Sequence, residues 1–496
     1  MMSVLDCADR RARRARSKPR SGRFLSLVGL ALVWQCVVAE EPMPAEQRIG
    51  EDAQRGLSLT IYQDDLALVR DRRQVELDQG ENRIAWRSVS VGIRPETALL
   101  SRSDGQLAVR LLEQNFDFDL LTADSLLRKY VGRTVQVIRT NDAGERIVEE
   151  ASVLAANDGV VLRYADRIET QVIGHLAFPD VPPDLRDQPT LVLHLEAAAG
   201  GAGELELTYL TGGLEWQADY VADLTLDASM MDLAGWVTLT NRSGIAYRQA
   251  EVQLVAGEVH QVTAPARLAP LASLALRAEP MALPEQEALF EYHLYQLPRR
   301  TDILDQQTKQ VALLAAPGVP VMQELVLEGA AFAYRTQVGT GWTRQPVEAR
   351  LVFDNRDGPL GIPLPKGVVR VYGRDRSGRP QFLGEDRIDH TPKNETVTLK
   401  LGESFDVTAQ RKQTAFRKLG GTGPYDYLFE AAFALELKNA KTEPVTVKVY
   451  ESLPGDWRML DESERHTKEA ANRLSWVVEV PGEGSTTLTW RAEVRQ

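Results

Sequence analysis

The sequence predicts an all-β protein built from several consecutive β-sandwich and small-barrel modules, with little helix. Apolar, β-branched and aromatic residues alternate with polar residues along most of the chain, for example in 57–62 and 73–77. Alternation with a period of two residues is typical of half-buried strands. Asn, Asp and Gly residues separate these segments at the spacing of tight turns. Helix is expected only near residues 118–130 and 460–470.

Breaks in this pattern divide the chain into regions. The segment after residue 118 combines a short helical pattern with five short strands and tight turns, which fits an SH3-like barrel. Pro-rich positions then mark the start of a longer β region. The predicted regions are a signal peptide (1–39), an N-terminal β unit (57–114), a short helix with an SH3-like small β-barrel (118–180), a main β-sandwich region (188–410) with an irregular linker (257–285), and a C-terminal β-sandwich unit (425–496).

The first 39 residues have the physical character of an export signal. Eight Lys and Arg residues precede an apolar run at 24–38, which is shorter than the roughly 20 residues of a membrane-spanning helix. Short side chains lead up to Ala39, so we expect cleavage between Ala39 and Glu40. An uncleaved anchor, a lipid anchor on Cys36 and twin-arginine export are the alternatives. The protein is therefore expected in the periplasm or outside the cell.

The composition narrows the chemistry of the mature chain. Both cysteines, Cys7 and Cys36, lie in the leader, so the expected mature chain has no thiol for a disulfide, a nucleophile or a metal site. Removal of the leader takes away eight basic and two acidic residues, which changes the formal net charge from −12 to −18. Such a chain repels nucleic acid and anionic membrane surfaces at long range. We therefore expect no nucleic-acid partner, and no membrane span in the mature chain.

Motifs for catalysis and for cofactor binding are missing from the sequence. The six histidines lie far apart, and the sequence contains no Gly-x-Ser-x-Gly, no Ser-x-x-Lys and no Walker-type phosphate loop. Residues 354–358 place acids at the first and fourth positions, whereas a calcium loop needs alternating ligands. No catalytic, cofactor-binding or metal-binding residue is predicted. Two carboxylates that meet only in the fold could still form a glycosidase pair.

One aromatic-rich strand is the most suggestive binding surface. In residues 291–297, Tyr292 and Tyr295 fall on opposite faces of the predicted strand. One face could lie in the core while the other contacts a partner. Burial of both faces inside a sandwich is the alternative.

Two distant segments resemble each other. Residues 191–209 and 474–490 each contain an apolar strand, a Gly-rich turn and a second strand that ends in an aromatic residue after Thr. A Gly-turn hairpin at the end of each of two sandwich domains would explain the similarity. Chance is the alternative.

Several motifs in a fixed order resemble a known family. The motifs are 208–220; 241–244 with 252–257; 292–298 with 308–311; and 364–372 with 382–386, 390–392 and 405–407. Together they resemble the bacterial domain of unknown function 4139 family over roughly residues 190–496. The resemblance implies an exported, β-rich protein and brings no catalytic residues with it.

We hypothesise structural roles for four motif residues. Trp216 and Tyr220 lie four positions apart, so on a strand they share a face and can cover one core layer. Gly367 follows Pro365 and suits a turn before a strand. His390 could fix a loop by hydrogen bonds.

The function predicted from these observations is that of an exported, non-enzymatic envelope protein without a cofactor. It would bind a protein or polymer partner through sheet edges or through a groove between β-domains. The alternative is a cell-wall or polysaccharide hydrolase whose carboxylates are brought together by the fold.

Overall fold

The computed structural model describes residues 44–102, 108–140, 144–157, 159–257, 259–260, 285–289, 292–329, 331–339, 341–356, 358, 360–420 and 427–495. Strands dominate these residues, beside one α-helix, α1 (Ala123–Lys129), so the predicted all-β fold is confirmed. The predicted leader, with Ala39 and Glu40, and most of the predicted linker 257–285 lie outside the described residues. No helix in the described ranges has the length and apolarity that a membrane span needs.

The strands are distributed along both halves of the chain. In the first half they are β1 (Glu46–Ile49), β2 (Gln54–Tyr62), β3 (Ala67–Leu77), β4 (Gly80–Arg87), β5 (Leu99–Arg102), β6 (Val109–Asp117), β7 (Thr134–Thr140), β8 (Arg146–Ala155), β9 (Val161–Arg163), β10 (Ile168–Glu169), β11 (His175–Ala177), β12 (Thr190–Ala197), β13 (Gly201–Thr211), β14 (Leu214–Leu224), β15 (Met230–Asn241) and β16 (Tyr247–Ala256). In the second half they are β17 (Glu285–Leu289), β18 (Tyr292–Gln296), β19 (Thr301–Ile303), β20 (Gln307–Pro320), β21 (Met322–Glu328), β22 (Thr343–Gln345), β23 (Glu348–Asp354), β24 (Gly367–Arg374), β25 (Pro380–Ile388), β26 (Thr396–Glu403), β27 (Val407–Gly420), β28 (Tyr427–Asn439), β29 (Val445–Ser452), β30 (Asp456–Glu462), β31 (Thr467–Ala470), β32 (Arg473–Val480) and β33 (Gly484–Arg495).

These strands form six sheets. We call one of them the small sheet, because its strands all come from residues 134–177. Sheet I has the order β1-β4-β12-β6, sheet II β17-β18-β16-β2-β3-β13-β5 with β19 beside β16, sheet III β20-β15-β14-β24-β25, sheet IV β26-β23-β21-β29-β32-β31, sheet V β22-β27-β28-β33-β30, and the small sheet β10-β9-β8-β7-β11. One hydrophobic core joins sheets I, II and III with the β23–β26 side of sheet IV. A second core joins sheets IV and V, and residues 45–496 form one compact unit.

Strand pairing does not follow the predicted boundary at residue 114. β3 pairs with β13 in sheet II, and β4 pairs with β12 in sheet I. The strands of the predicted 57–114 unit are therefore completed by strands that come after residue 188. Alternation identifies each strand but does not show which strand it pairs with, because every half-buried strand has the same pattern.

The region 118–180 forms the small sheet beside α1. The five strands predicted from the turn spacing are present, but the two edge strands, β10 and β11, do not pair with each other. The sheet is thus open, and the predicted SH3-like barrel is corrected to an open five-stranded sheet. Beside α1, Tyr130 packs edge-on against Phe178 at a ring distance of 4.9 Å, in the core that this sheet covers.

The helix expected near 460–470 is not formed. β30 and β31 occupy this segment and pair with β33 and β32, which lie in different sheets. Between them, the Glu462 carboxylate accepts a hydrogen bond from the His466 backbone N–H at 3.1 Å. Pairing with distant strands has overridden a weak local helical pattern.

Four crossovers tie consecutive sheets together. The pair β2–β3 lies in sheet II, but the next strand, β4, joins sheet I in parallel with β1. In the same way β14–β15 in sheet III is followed by β16, which is parallel to β2 in sheet II. β21–β23 in sheet IV is followed by β24, parallel to β14, and β27–β28 in sheet V by β29, parallel to β21. The strand that follows each pair in the chain thus belongs to the sheet before the one that contains the pair.

A buried asparagine stands at three of these crossovers. Asn241 and Asn439 end β15 and β28, Asn355 directly follows β23, and none of the three is more than 2% exposed. Each side-chain amide donates to two or three backbone carbonyls. Each Oδ1 accepts a backbone N–H from the following turn. A chain that leaves its sheet inside the core must satisfy these backbone groups, and asparagine supplies both a donor and an acceptor.

The two similar segments have the same place in the fold, but neither is a hairpin. β12 and β13 lie in sheets I and II, and β32 and β33 lie in sheets IV and V. The Gly-rich turns therefore connect two sheets across a core instead of two neighbouring strands. The predicted Gly-turn hairpins are corrected in this respect, since a turn sequence alone does not show whether its strands pair.

We predict that Asn439→Ala lowers the free energy of unfolding by about 2–4 kcal/mol, because buried carbonyls lose their donors. The control is Asn472→Ala, since the Asn472 side chain is exposed and its loss should change stability by less than about 0.5 kcal/mol. Urea denaturation followed by tryptophan fluorescence measures both variants. Equal stability of the two would contradict a role of Asn439 in the crossover.

Candidate functional site

The motif residues with predicted structural roles lie together around a loop at 363–367. Trp216 and Tyr220 lie on β14, and Gly367 begins β24, with Gly367 opposite Ala218 in the parallel pairing. A Cβ atom at position 367 would overlap the carbonyl oxygen of Ala218. The position requires glycine because the two backbones approach closely. The sequence placed Gly367 in a turn, whereas the structure makes it the first residue of a strand.

Two buried tyrosines hold the loop 363–367. The Tyr220 hydroxyl donates to the Pro365 carbonyl oxygen at 2.8 Å, and the Tyr295 hydroxyl donates to the Pro363 carbonyl oxygen at 2.9 Å. Burial raises the pKa of both phenols well above its ordinary value. Both hydroxyls therefore remain protonated donors at any physiological pH.

His390 contacts the same loop from the other side. Its Nδ1 accepts the backbone N–H of Lys366 at 3.3 Å. Next to it, Leu364 and Thr391 exchange backbone hydrogen bonds of 2.8 and 2.9 Å. A hydrogen bond to a loop is the role that we hypothesised for His390 from the sequence. The bond requires an imidazole whose Nδ1 is unprotonated.

Trp216 connects this cluster to sheet II. Its indole N–H donates to the Val255 carbonyl oxygen at 3.2 Å, and its ring meets the Tyr295 ring edge-on at 6.4 Å. Trp216 and Tyr220 are at most 1% exposed and belong to the same core. The arrangement joins β14, β16 and β18 through side chains whose polar atoms bond to backbone groups.

The predicted aromatic binding face is not an open surface. Tyr295 is 3% exposed, and Tyr292 is half-buried. β18 lies between β16 and β17, so it is an internal strand of sheet II. Tyr295 therefore lies in the core, whereas Tyr292 is partly accessible.

Two buried ion pairs were not anticipated from the sequence. Arg73 pairs with Asp71 in sheet II at 2.6 Å, and the Trp86 indole donates to the same carboxylate at 3.0 Å. In sheets IV and V, Arg411 pairs with the fully buried Glu451. Their residues lie on strands that otherwise alternate normally, so only an unexpected charge at an inward position signals them.

Two clefts among the described residues differ in size and charge. The smaller has a volume of about 20 Å³ and includes Glu51 and Asp71 in its wall, which is space for roughly one water molecule. The larger, which we call the arginine cleft, has a volume of about 320 Å³ and is lined by Arg48, Arg87, Arg186, Leu121, Val181 and Pro183, with Asp187 as its acid.

These clefts do not favour the hydrolase alternative. The Asp71 oxygens already accept hydrogen bonds from Gln54, Arg73 and Trp86, and the arginine cleft offers a single carboxylate. A glycosidase needs two carboxyl groups on either side of a sugar. Within the described ranges, no group of three or more His, Cys, Asp or Glu side chains could hold a metal ion.

A strand of sheet V has an open edge. β27 pairs with β28 along its whole length, but β22 covers its other side only at Ala409–Arg411. No described strand pairs with the stretch 415–420 on that side. The exposed side chains of this stretch include those of Arg417 and Lys418. Beside them, the rings of Phe416 and Tyr427 each stack on Phe429 at 6.1 Å.

We predict that Tyr220→Phe lowers the free energy of unfolding by about 1–3 kcal/mol, because the buried Pro365 carbonyl loses its donor. Tyr372→Phe is the matched control, since Tyr372 is half-buried and no described hydrogen bond uses its hydroxyl. Chemical denaturation gives both values. A loss in Tyr372→Phe as large as in Tyr220→Phe would contradict the role assigned to the Tyr220 hydroxyl.

Comparison with known proteins yields one match. No curated protein is similar to the chain at a significant level. A family model described as a domain of unknown function (DUF4139) matches residues 205–496. The match covers more than half of the chain and contains Trp216, Tyr220, Gly367 and His390. The protein therefore belongs to the DUF4139 family.

Proposed function

We propose that the protein is an exported, non-enzymatic envelope protein that binds an extended segment of a partner protein along the open edge of β27. Sequence analysis left a protein and a polymer as possible partners. The edge favours a protein, because unpaired backbone N–H and C=O groups recognise another backbone in extended conformation.

The observation that carries the proposal is the missing parallel strand on β27. In each of sheets I to IV, one strand pairs in parallel with a strand that comes later in the chain. These pairs are β1 with β4, β2 with β16, β14 with β24 and β21 with β29. β27 is the equivalent strand in sheet V. On that side β22 pairs with it antiparallel at Ala409–Arg411, and none of the described strands pairs with it in parallel. The fold therefore offers on β27 a position that it fills four times elsewhere.

Other long edges of the described sheets are less suited to strand addition. β20 contains Pro317 and Pro320, which lack the N–H that a ladder needs. β6 pairs with β12 through a bulge between His194 and Leu195, and a bulge twists an edge away from regular pairing. β27 also has a bulge, at Thr414, but beyond it the stretch 415–420 pairs with β28 in continuous register.

The charges on this edge favour an acidic partner. Arg417 is 65% exposed, and its nearest carboxylate, that of Glu430, lies 4.0 Å away. Lys418 lies over the Tyr427 ring at 4.2 Å. Two copies of the same edge would place like charges next to each other, which disfavours self-pairing. The stacked rings beside the edge can accept apolar side chains of an added strand.

Photocrosslinking tests the proposal. A photoreactive phenylalanine at Thr414, which is exposed next to the edge, should give a reproducible protein adduct in cells. The double variant Arg417→Glu, Lys418→Glu should reduce the adduct at least about fivefold, because the edge then repels an acidic segment.

The control places the photoreactive residue at Lys393, which is exposed on a turn away from sheet V. It should give no such adduct. Unchanged thermal stability of the double variant separates lost binding from unfolding. The proposal is wrong if Thr414 gives no adduct, or if the double variant leaves the adduct unchanged.

The proposal includes export, and the leader gives it a separate test. We predict that protein recovered from the periplasm or the medium begins at Glu40, because signal peptidase reads the short side chains before Ala39. Intact-mass measurement distinguishes this product from a retained or lipid-modified leader. A full-length chain found only in the cytoplasm would contradict export.

A further inference from the structure

We propose that the arginine cleft binds a small organic anion: an apolar chain that ends in a carboxylate or a phosphate. The site lies on sheet I and is separate from the edge of β27. Nothing in the partner-binding proposal requires it, so each can fail without the other.

The floor of the cleft is the outer face of sheet I. Along β4, Ile84 and Trp86 belong to the core, so Ala85 and Arg87 lie on the opposite face. Arg48 on β1 lies opposite Ala85, which makes Arg48 and Arg87 diagonal neighbours on this face. The small side chain of Ala85 leaves space between two long cationic ones.

The ion pairs around the cleft leave positive charge unused. Arg186 is saturated: it contacts both Glu46 oxygens at 2.6 and 2.8 Å and Asp117 at 2.8 Å. These hydrogen bonds from Arg186 are also the main cause that lowers the pKa of Glu46. Arg186 offsets one of these two negative charges, and Arg83, 3.4 Å from Glu46, offsets the other.

The remaining arginines have weaker partners. Arg87 pairs with Asp187, whose side chain is 58% exposed, and the Arg87 Nε is buried without a hydrogen-bond partner. Arg48 is 67% exposed, and its nearest carboxylate, that of Glu46, lies 3.9 Å away. These two guanidinium groups can accept an anion, and their planar N–H pattern suits carboxylate or phosphate oxygens.

One wall of the cleft is apolar. Leu121 is 40% exposed and Val181 is 52% exposed, and Pro183 continues the same wall. The volume of about 320 Å³ falls within the range of small-molecule sites, roughly 300–1,000 Å³. An inorganic ion would leave most of this space empty, so the ligand that fits has an apolar part.

The cleft also connects the small sheet region to sheet I, but this role uses other groups. The Leu121 backbone N–H donates to the Arg186 carbonyl at 2.7 Å, and the Arg186 N–H donates to the Asp119 carbonyl at 3.0 Å. The connection thus depends on backbone atoms and on the saturated Arg186. Arg48 makes none of these bonds, and Arg87 contributes to this region through its ion pair with Asp187.

Isothermal titration calorimetry on the purified chain tests the proposal with four probes. Octanoate and octyl phosphate carry the anion on an apolar chain, octan-1-ol keeps the chain without the charge, and inorganic phosphate keeps the charge without the chain. We expect saturable binding of octanoate, of octyl phosphate or of both, and which of the two binds identifies the source of the anion. Octan-1-ol and inorganic phosphate should bind at least about tenfold more weakly.

Three variants locate the binding. Arg48→Ala and Arg87→Ala should each weaken the preferred probe about tenfold or more, and Leu121→Ala should weaken it by a smaller factor. Arg376→Ala, an exposed arginine on a turn of sheet III, should leave binding unchanged. No binding of either charged probe, equal binding of octan-1-ol, or the same affinity in Arg48→Ala, Arg87→Ala and Arg376→Ala would overturn the proposal.

Discussion

The return of one strand to the preceding sheet is the constraint on which the rest of this structure depends. β2 and β16 lie almost 200 residues apart in sequence, yet they pair in parallel within sheet II, and the β15–β16 connection thereby ties sheet III to sheet II. Such a pairing closes a long loop, and its entropic cost must be offset by the strands and cores that it completes. A sheet that needs a strand from the next unit is not an independent module. The β regions therefore form one unit although their sequence reads as a series.

The same constraint bears on the family match. The matched region begins at residue 205, inside β13. β13 pairs with β3, and β16 pairs with β2, so two strands inside the match complete their sheet with strands that precede it. A fragment limited to 205–496 would leave β13 without both of its partner strands, β3 and β5, and would expose one edge of β16. Residues before the match are thus part of the same folding unit.

The sequence predicted what each strand looks like but not what it pairs with. The spacing of Trp216 and Tyr220 correctly placed both side chains on one face, since the period of a strand is local. The hydrogen bonds of Tyr220 and Tyr295 to the 363–367 loop could not be predicted, because they join segments that are distant in sequence. For the same reason the Gly-rich turns predict hairpins, whereas the strands that they connect lie in different sheets. A turn sequence shows that the chain reverses, not whether it stays in its sheet.

The sequence motifs that resemble the family contain residues that hold a loop and a crossover in place. Tyr220, Tyr295 and His390 bond to backbone atoms of one loop, and Asn241 bonds to backbone atoms at a crossover. Buried polar side chains of this kind favour the observed strand pairing, because a different crossover would leave their hydrogen bonds unmade. Side chains that are saturated by backbone groups have little capacity left for a ligand. The proposed partner site accordingly lies where this interlocking stops, along the stretch 415–420 of β27, with which no described strand pairs on its outer side.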